Sequence, residues 1–337
     1  MQVAKPKKGY KLVKTSFGKY EEIPAEWALT NLGNSCDILD SKRIPLNKSE
    51  RMKIQGDIPY YGANGIQGYV NKHLFDQDLI LVAEDGGNFT EYETKPIAYV
   101  IHGKSWINNH AHVLAPKKGY DLNWVFYSLV HKNIIPWVNG TTRSKLNQSE
   151  LKKIEINSPQ LPEQQKISSI LSNVDDTLQK TNQIIEQTQR LKTGMMQKLL
   201  TRGIGHTKFK KIKWLYGKYI EIPEEWDVVK IGQICESIVS GRNKPKKFVG
   251  DIPWITLPDI DSMYVRESKS GLQVSTEEIK RCGGKILPPN AVIMTCVGDL
   301  GMTAITSQRL VVNQQLHAFI CPKNIDPYFI ATYLKTQ

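Results

Sequence analysis

The chain has few cysteines and no long apolar run. Its five cysteines are odd in number and form no CxxC pair, which argues against a disulfide framework and against a cysteine-rich zinc site. No apolar stretch approaches the roughly 18 residues that cross a bilayer. The basic start has no apolar segment behind it, so it does not have the pattern of a signal peptide. We therefore expect a cytoplasmic protein that does not enter a membrane.

Catalytic motifs are also missing. A GxxxxGK[ST] phosphate loop is absent, and so are the glycine-rich methyl-donor loop and the Asn/Asp-Pro-Pro-aromatic motif of adenine methyltransferases. Pro288-Pro289-Asn290 has these residue types in the wrong order. A nuclease-like pattern, Pro258-Asp259 followed by Glu278-Ile279-Lys280 or by Glu267-Ser268-Lys269, could in principle hold a divalent metal, but it is very weak. We predict no enzymatic activity for the chain itself.

Positive charge is present in excess. The net charge is +12 and the pI is near 9.3, which favours polyanion partners through phosphate neutralisation and counterion release. The basic residues form three clusters: Lys5, Lys7, Lys8, Lys11 and Lys14; Lys208, Lys210, Lys211 and Lys213; and Arg242, Lys244, Lys246 and Lys247. A membrane surface or a merely solvated basic face stays possible on charge alone, but nucleic acid is the favoured partner.

The chain also contains a repeat. GKYEEIPAEW (18–27) and GKYIEIPEEW (217–226) are identical at eight of ten positions, and the register continues through Gly33/Gly232 and Cys36/Cys235. Further along, INNHAHVL (107–114) aligns with VNQQLHAF (312–319). A repeat this long predicts two domains of one fold. Because the copies differ between their shared phrases, we expect them to contact different parts of an extended partner.

Short β-branched and aromatic runs fill each copy. LILVAE (79–84), PIAYVIHG (96–103) and AHVLAP (111–116) read as strands, and LNWVFYSLVHKN (122–133) has helical spacing. We predict an α+β fold: two repeated mixed α/β, mainly β domains separated by a long coiled-coil helix. The predicted boundaries are a basic segment 1–17, a first domain 18–158, a spacer helix 159–203, a basic linker 204–216, and a second domain 217–337, incomplete at its C-terminal end.

The spacer carries an apolar stripe. It begins at LPEQQKI (161–167), where Pro162 suits a first helical turn, and Gly203 is its expected stop. The stripe needs a partner helix, which predicts a coiled coil roughly 55 Å long at 1.5 Å per residue. The predicted helix-interface residues are Ile167, Leu171, Val174, Leu178, Ile185, Met195 and Leu199.

The paired EIPxEW phrases are accompanied by three further signatures. These are WINNHAHVL (106–114), TTRSKLNQSELKKIEINSP (141–159), and LPEQQKI running into a helix that carries MMQKLLTRG (195–203). Together, and in this order, they resemble the DNA sequence-specificity (S) subunit of type I restriction–modification systems. The resemblance covers essentially the whole chain, except that the distal conserved helix of the family is missing.

The resemblance implies a non-catalytic subunit that reads a bipartite target in double-stranded DNA. It also implies docking of methyltransferase (modification) subunits and of the restriction/translocase subunit. S-adenosylmethionine, ATP and Mg²⁺ are then expected on those partner subunits, and no cofactor is expected on this chain. In the family, two conserved helices resemble an antiparallel coiled coil that fixes the distance between the recognition domains. Since the second helix is missing here, a homodimer through the spacer helix is an alternative.

Residues that read bases are sought among Asn, Gln, Arg and Lys in turn-rich segments, because these side chains make bidentate contacts to base edges. We predict the following DNA-binding candidates: Lys42, Arg43, Asn64, Asn71, Lys72, Asn88, Thr90, Tyr92, Arg143 and Lys145 in the first copy, and Arg242, Asn243, Lys244, Lys246 and Lys247 in the second.

Two other hypotheses about the function stay open. A basic coiled-coil scaffold that binds nucleic acid without sequence choice would explain the charge and the helix, and the weak nuclease pattern is the third possibility. His110 and His112 share one face of a predicted strand, but no carboxylate adjoins them in the sequence and the second copy has Gln315 in place of His110. For these histidines we expect structural hydrogen bonding and no metal.

Overall fold

The computed structural model describes residues 5–140, 144–214, 217–239 and 243–336. The chain divides into two compact units, unit 1 up to residue 183 and unit 2 from residue 184. Within the described ranges, no helix is long and apolar enough to cross a membrane. Each unit is a mixed α/β domain with its own core.

Unit 1 consists of short strands and helices that precede the long spacer helix in the sequence, and of the first part of that helix. Its strands are β1 Tyr10–Lys14, β2 Tyr20–Pro24, β3 Ala28–Asn31, β4 Cys36–Ile38, β5 Ile58–Gly62, β6 Gly65–Val70, β7 Phe75–Asp76, β8 Leu79–Ala83, β9 Ala98–Ile101, β10 Lys104–Ile107, β11 Ala111–Pro116 and β12 Glu155–Ser158. Its helices are α1 Leu32–Ser35, α2 Lys48–Lys53, α3 Leu122–Leu129, α4 Gln148–Leu151 and the start of α5, Leu161–Arg202.

Two four-stranded sheets form the body of unit 1, in the orders β4-β11-β8-β9 and β6-β5-β10-β7. All five residues of β8 are buried, as expected for a continuous apolar run covered on both faces. Helix α3 begins at the Asp121 cap and packs Trp124, Val125 and Leu129 against the first sheet.

The start of α5 is fixed to unit 1 by buried polar contacts. The Gln164 side chain accepts from the Asp121 backbone N–H at 2.9 Å and donates to the Gly119 and Pro159 carbonyls. Ile167 packs against the core of unit 1. The helix is continuous for 42 residues, about 63 Å at 1.5 Å per residue, and is followed by Gly203 with φ of +63°.

Unit 2 contains the end of α5 and a second set of strands. These are β13 Phe209–Lys213, β14 Tyr219–Pro223, β15 Glu236–Val239, β16 Ile252–Ile255, β17 Tyr264–Val265, β18 Gln273–Val274, β19 Ala291–Thr295, β20 Thr303–Thr306, β21 Val311–Val312 and β22 Leu316–Ile320. Its helices are α6 Ile231–Ile234, α7 Thr276–Cys282 and α8 Pro327–Lys335.

The two units share the central strand order of their large sheets. The order β15-β22-β19-β20 of unit 2 corresponds to β4-β11-β8-β9 of unit 1, and the parallel pair β16–β21 corresponds to β5–β10. Asn108 and Asn313 follow the parallel pair in each unit, and each Oδ1 accepts the backbone N–H two residues later. The fold predicted from the repeat is therefore confirmed. The domain boundaries stay a prediction, and β1 and β13 lie within the predicted basic segment and linker.

One edge differs between the units. In unit 1, β12 pairs antiparallel with β3, next to Trp27, whose ring meets Trp124 edge-on at 5.5 Å. The corresponding residues of unit 2, 227–230, pair with no strand among the residues described. Val228 and Val229 are about half exposed there and line a groove with Trp226 and Phe329.

Candidate nucleic-acid interface

A buried network of charged residues lies at the end of β8 in unit 1. Glu84 directly follows the strand, and its carboxylate binds Arg43 Nη1 at 2.8 Å and Lys145 Nζ at 3.1 Å. Asp40 lies beside it and binds the ring of His112. The network joins four segments that are far apart in the sequence, since Asp40 and Arg43 precede α2, His112 is in β11, and Lys145 precedes α4.

Arg43 is a central member of this network. Its side chain is only 12% exposed. Nη1 also donates to the Ala111 carbonyl at 2.7 Å, and Nε donates to the Asp40 carbonyl at 3.1 Å. A bidentate base contact needs a free edge of two N–H groups, whereas these groups of Arg43 are already used within the protein. The geometry therefore favours a positioning role for Arg43.

His112 is held on both sides of its ring. Nδ1 lies 2.6 Å from Asp40 Oδ2, and Nε2 lies 2.7 Å from the Leu146 carbonyl. Both partners are oxygen atoms that can accept, so each ring nitrogen of His112 shares a hydrogen bond within the protein. Burial alone would raise the pKa of Asp40, but the His112 hydrogen bond and charge, the Val113 N–H and Arg43 together lower it below its ordinary value.

Asp40, Glu84 and His112 place possible ligand atoms within 4.8 Å of one another, and this is the one such group among the described residues. The Arg43 guanidinium lies against both carboxylates, and both His112 nitrogens already have partners. The cluster is therefore an ion-pair network that fixes loops. Neighbouring sequence gives no sign of this cluster, because the carboxylates reach His110 and His112 from distant segments.

The rim of the network is formed by three accessible residues: Asn64, His110 and Lys145. Lys145 has a side chain about half exposed, and Asn64, at the β5–β6 turn, donates to the Gly86 carbonyl at 2.9 Å. His110 shares a hydrogen bond of 2.8 Å with Asp85. The structure thus brings Arg43, Asn64 and Lys145 together around residues 84–86, with His110 as an addition that our candidates did not include.

The remaining candidates of unit 1 lie elsewhere. Lys42 and Thr90 are exposed, and Asn71 and Lys72 are exposed beyond the end of β6. Asn88 donates its side-chain amide to the Pro96 carbonyl, and Tyr92 packs against the core while its carbonyl binds His131. Arg143 lies outside the described residues. Base contact by these residues stays a prediction.

In unit 2 the candidates lie on a segment that follows β15. Asn243, Lys244, Lys246 and Lys247 are exposed, and Lys244 Nζ lies 5.8 Å from the centre of the Phe248 ring. The Glu278 carboxylate accepts from the backbone N–H groups of both Lys246 and Lys247, which leaves their side chains free. Arg242 lies outside the described residues.

The carboxylates of the weak nuclease pattern are used structurally. Asp259 is buried, and it accepts from the Thr256 and Lys269 backbone N–H groups at 2.7 Å each. Glu278 binds Arg281 as well as the loop, and this pairing lowers its pKa to about 2. Among the described residues, neither carboxylate belongs to a group of three possible metal ligands.

Comparisons with known proteins bear on both units. The family described as type I restriction modification DNA specificity domain matches residues 24–190 and 223–337. A putative type I restriction enzyme specificity subunit of Haemophilus influenzae, S.HindORF215P, is 28% identical over 292 residues, which are 85% of this chain and 69% of that protein.

Two archaeal proteins and one solved structure are also similar. The putative MjaX specificity subunit of Methanocaldococcus jannaschii is 34% identical over 47% of this chain and 37% of that protein, and the MjaVIII subunit is 29% identical over 65% and 51%. The chain thus spans about half or less of these two relatives. The crystal structure of an S subunit from M. genitalium shares the fold, with a TM-score of 0.51 and 16% identity over 92% of this chain and 77% of that one.

Proposed function

Since the chain belongs to the family of type I restriction modification DNA specificity domains, we propose that it reads a bipartite target in double-stranded DNA for a type I restriction–modification complex. One observation carries this proposal: the two units share the central strand order of their large sheets while their loop residues differ. A shared scaffold with different loops suits two half-sites of different sequence, because the loops carry recognition and the scaffold positions them.

The first half-site is read from the rim of the network around Glu84. Lys145 and Asn64 supply a cation and an amide at an accessible edge, while Arg43 and His112 hold the loops beneath them. The second half-site is read from the segment 243–247, which Glu278 anchors through the backbone. In both units, carboxylates fix the backbone through hydrogen bonds or ion pairs, so that exposed lysine and asparagine side chains keep their positions.

The chain acts without a catalytic group of its own in this proposal. Transfer of a methyl group and cleavage belong to the modification and restriction subunits, and S-adenosylmethionine, ATP and Mg²⁺ are used by those partners. Mutations in this chain would change which sites are modified and leave the chemical step unchanged.

The stripe on α5 is the proposed docking surface. Leu171, Val174, Leu178, Ile185, Met195 and Leu199 are between 38% and 57% exposed. Apolar side chains repeating at this spacing are stabilised by a second helix. The helix of a second copy can supply it through a two-fold axis, and modification subunits are the other candidates for this surface.

The test is selection from a randomised duplex library with the full chain and its modification subunit. Enrichment of two short blocks at a fixed gap supports the proposal, and a symmetric pair of blocks further supports a dimer that uses one unit twice. Salt-sensitive binding without any enriched sequence would overturn it and favour a basic scaffold without sequence choice.

A further inference from the structure

Much of the positive charge is carried by two equivalent hairpins. Residues 5–24 contain six lysines and two glutamates, and residues 205–224 contain five lysines and two glutamates. These two segments therefore hold seven of the twelve net positive charges of the chain in 40 of its 337 residues. None of their lysines belongs to the predicted base-reading set, so their role is unexplained by half-site recognition.

Each segment forms a two-stranded sheet separate from the two large ones. β1 pairs with β2 and β13 pairs with β14, both antiparallel, with Lys14 opposite Tyr20 and Lys213 opposite Tyr219. In unit 2, Ile222 of this hairpin is buried, whereas Tyr219 is 68% exposed. One face thus attaches the hairpin to its unit, and the other presents lysine and tyrosine to solvent.

Four lysines of the two hairpins have no ion-pair partner in the part of the chain that the structure describes. One glutamate of each segment is engaged, since Glu22 pairs with Lys7 and Glu221 pairs with Arg202. For Lys14, Lys19, Lys213 and Lys218, no carboxylate of the described residues lies within ion-pair distance. Unpaired, exposed lysines on a strand are available to an anionic partner.

The two copies keep this feature although they differ in their reading loops. Lys19-Tyr20 and Lys218-Tyr219 are identical and exposed in both, and no core contact explains that identity. Lys11 and Lys14 also coincide with Lys210 and Lys213, while the remaining lysines, three in the first segment and two in the second, occupy different positions. Positive charge that is retained while the reading loops differ is typical of contact with a phosphate backbone, which presents the same charge whatever its sequence.

In unit 1 the hairpin also adjoins the proposed reading surface. Phe17 at its turn meets Trp137 edge-on at 4.8 Å. Asn139, two residues further on, pairs with Lys145, which binds Glu84. The turn of the hairpin is thus connected by a short series of contacts to the rim that carries Asn64.

We propose that the β1–β2 and β13–β14 hairpins are phosphate-binding arms that grip the DNA backbone in the same way on both half-sites. This inference rests on the proposed function, because it takes the ligand to be the DNA that the two units read. The hairpins supply affinity independent of sequence, and the loops supply discrimination between bases.

The test compares the full wild-type chain with Lys14→Ala/Lys19→Ala and with Lys213→Ala/Lys218→Ala. Binding to the selected duplex and to a scrambled duplex of equal length is measured by fluorescence anisotropy over a range of salt concentrations. If each lysine contacts one phosphate, each double variant lowers the slope of log K against log salt by about 1.8, with a loss of affinity on the order of tenfold. Both duplexes should lose affinity by the same factor.

Two variants serve as controls. Lys180→Ala/Lys192→Ala removes the same charge from exposed positions of α5 and should leave the slope unchanged. Lys213→Arg/Lys218→Arg keeps the charge and should restore the wild-type slope, which separates loss of charge from damage to the hairpin. Circular dichroism identifies any variant that fails to fold.

An unchanged slope in both alanine variants would overturn the proposal, and so would weaker assembly with the modification subunit at unchanged DNA affinity, since the hairpins would then bind protein. A wild-type chain that binds both duplexes equally would refute the proposed function instead. In that case the slopes of the variants still decide whether the hairpins bind phosphate.

Discussion

His112 and Asp40 lie 72 residues apart in the sequence, yet His112 Nδ1 is 2.6 Å from Asp40 Oδ2. Both side chains are buried, 1% and 6% exposed. The pair connects β11 to the short 3₁₀ helix Asp40–Lys42, directly before Arg43. It thereby fixes the backbone from which Arg43 reaches Glu84, and so the position of the rim where DNA is proposed to bind.

Substituting Asp40 should destabilise unit 1. Asp40→Asn removes the negative charge that His112 and Arg43 face, and breaking a buried ion pair from one side costs about 3 kcal/mol. Urea unfolding followed by circular dichroism measures the loss. Asp37→Asn is the matched control, because Asp37 is 64% exposed and lies 3.9 Å from Lys117, a contact worth at most about 1 kcal/mol.

Stability should depend on pH through the same carboxylate. The pKa of Asp40 in the folded chain is below its ordinary value of 3.8, so Asp40 contributes stability that is fully present well above pH 3.8 and is lost as the pH falls through the folded pKa. The difference in unfolding free energy between wild type and Asp40→Asn should be constant near neutral pH and shrink below 3.8. A difference independent of pH across that window would contradict the ionised pair.

Substituting Arg43 and substituting Lys145 should have different effects, although both side chains bind Glu84. Arg43→Ala leaves Glu84 and the Ala111 carbonyl without a buried donor, which should cost about 3 kcal/mol of stability. Lys145→Ala removes a half-exposed contact and should cost less than about 1 kcal/mol, while DNA affinity falls. Urea denaturation measures the stability of the two variants, and fluorescence anisotropy measures their affinity for DNA. A stable Arg43→Ala chain with altered base preference would show that Arg43 reads DNA.

The two half-sites should respond independently. Lys244→Ala lies in unit 2, so selection from the randomised library should return a changed or relaxed second block and an unchanged first block. One lost base contact costs about 1–3 kcal/mol of discrimination at its position. If both blocks change together, the two units do not read their half-sites independently. Lys323→Ala, an exposed lysine of the same unit far along the chain, provides the control.

Self-association should depend on the stripe of α5. Leu178→Lys/Ile185→Lys places charges on side chains 57% and 48% exposed, where a dimer would bury them. If the stripe pairs two copies, the mass measured by light scattering should fall to that of one chain. Asp176→Lys/Gln187→Lys adds charge on the opposite face of the helix and should leave the mass unchanged. An unchanged mass in the first variant would exclude the dimer.

Most of the fold could be predicted from the sequence because its signals are local or repeated. The shared phrase gave two domains, the apolar run 79–83 gave a buried strand, and the spacing after Pro162 gave the long helix, which ends one residue before Gly203. The resemblance to the specificity family, drawn from these phrases, is confirmed by the family match. β1 and β13 were missed because a lysine-rich strand has no apolar alternation to reveal it.

The site could be predicted only in part. Exposed lysines such as Lys145 and Lys244 follow from composition and turn signals, but the buried role of Arg43 does not. It depends on Asp40, Glu84 and His112, which come together through pairing between β8 and β11 and so leave no mark in neighbouring sequence. A charged residue in a turn-rich segment looks the same in sequence whether it faces solvent or a carboxylate.

Residues 227–230 of unit 2 affect how the purified chain behaves in salt. This segment pairs with no strand among the described residues and contains two half-exposed valines. Such an edge is a template on which another strand can add, and it promotes aggregation. Net charge of +12 opposes this association at low ionic strength, but salt screens the repulsion. Concentrated salt, the usual means of stripping nucleic acid from a basic protein, therefore exposes the chain to precipitation through unit 2.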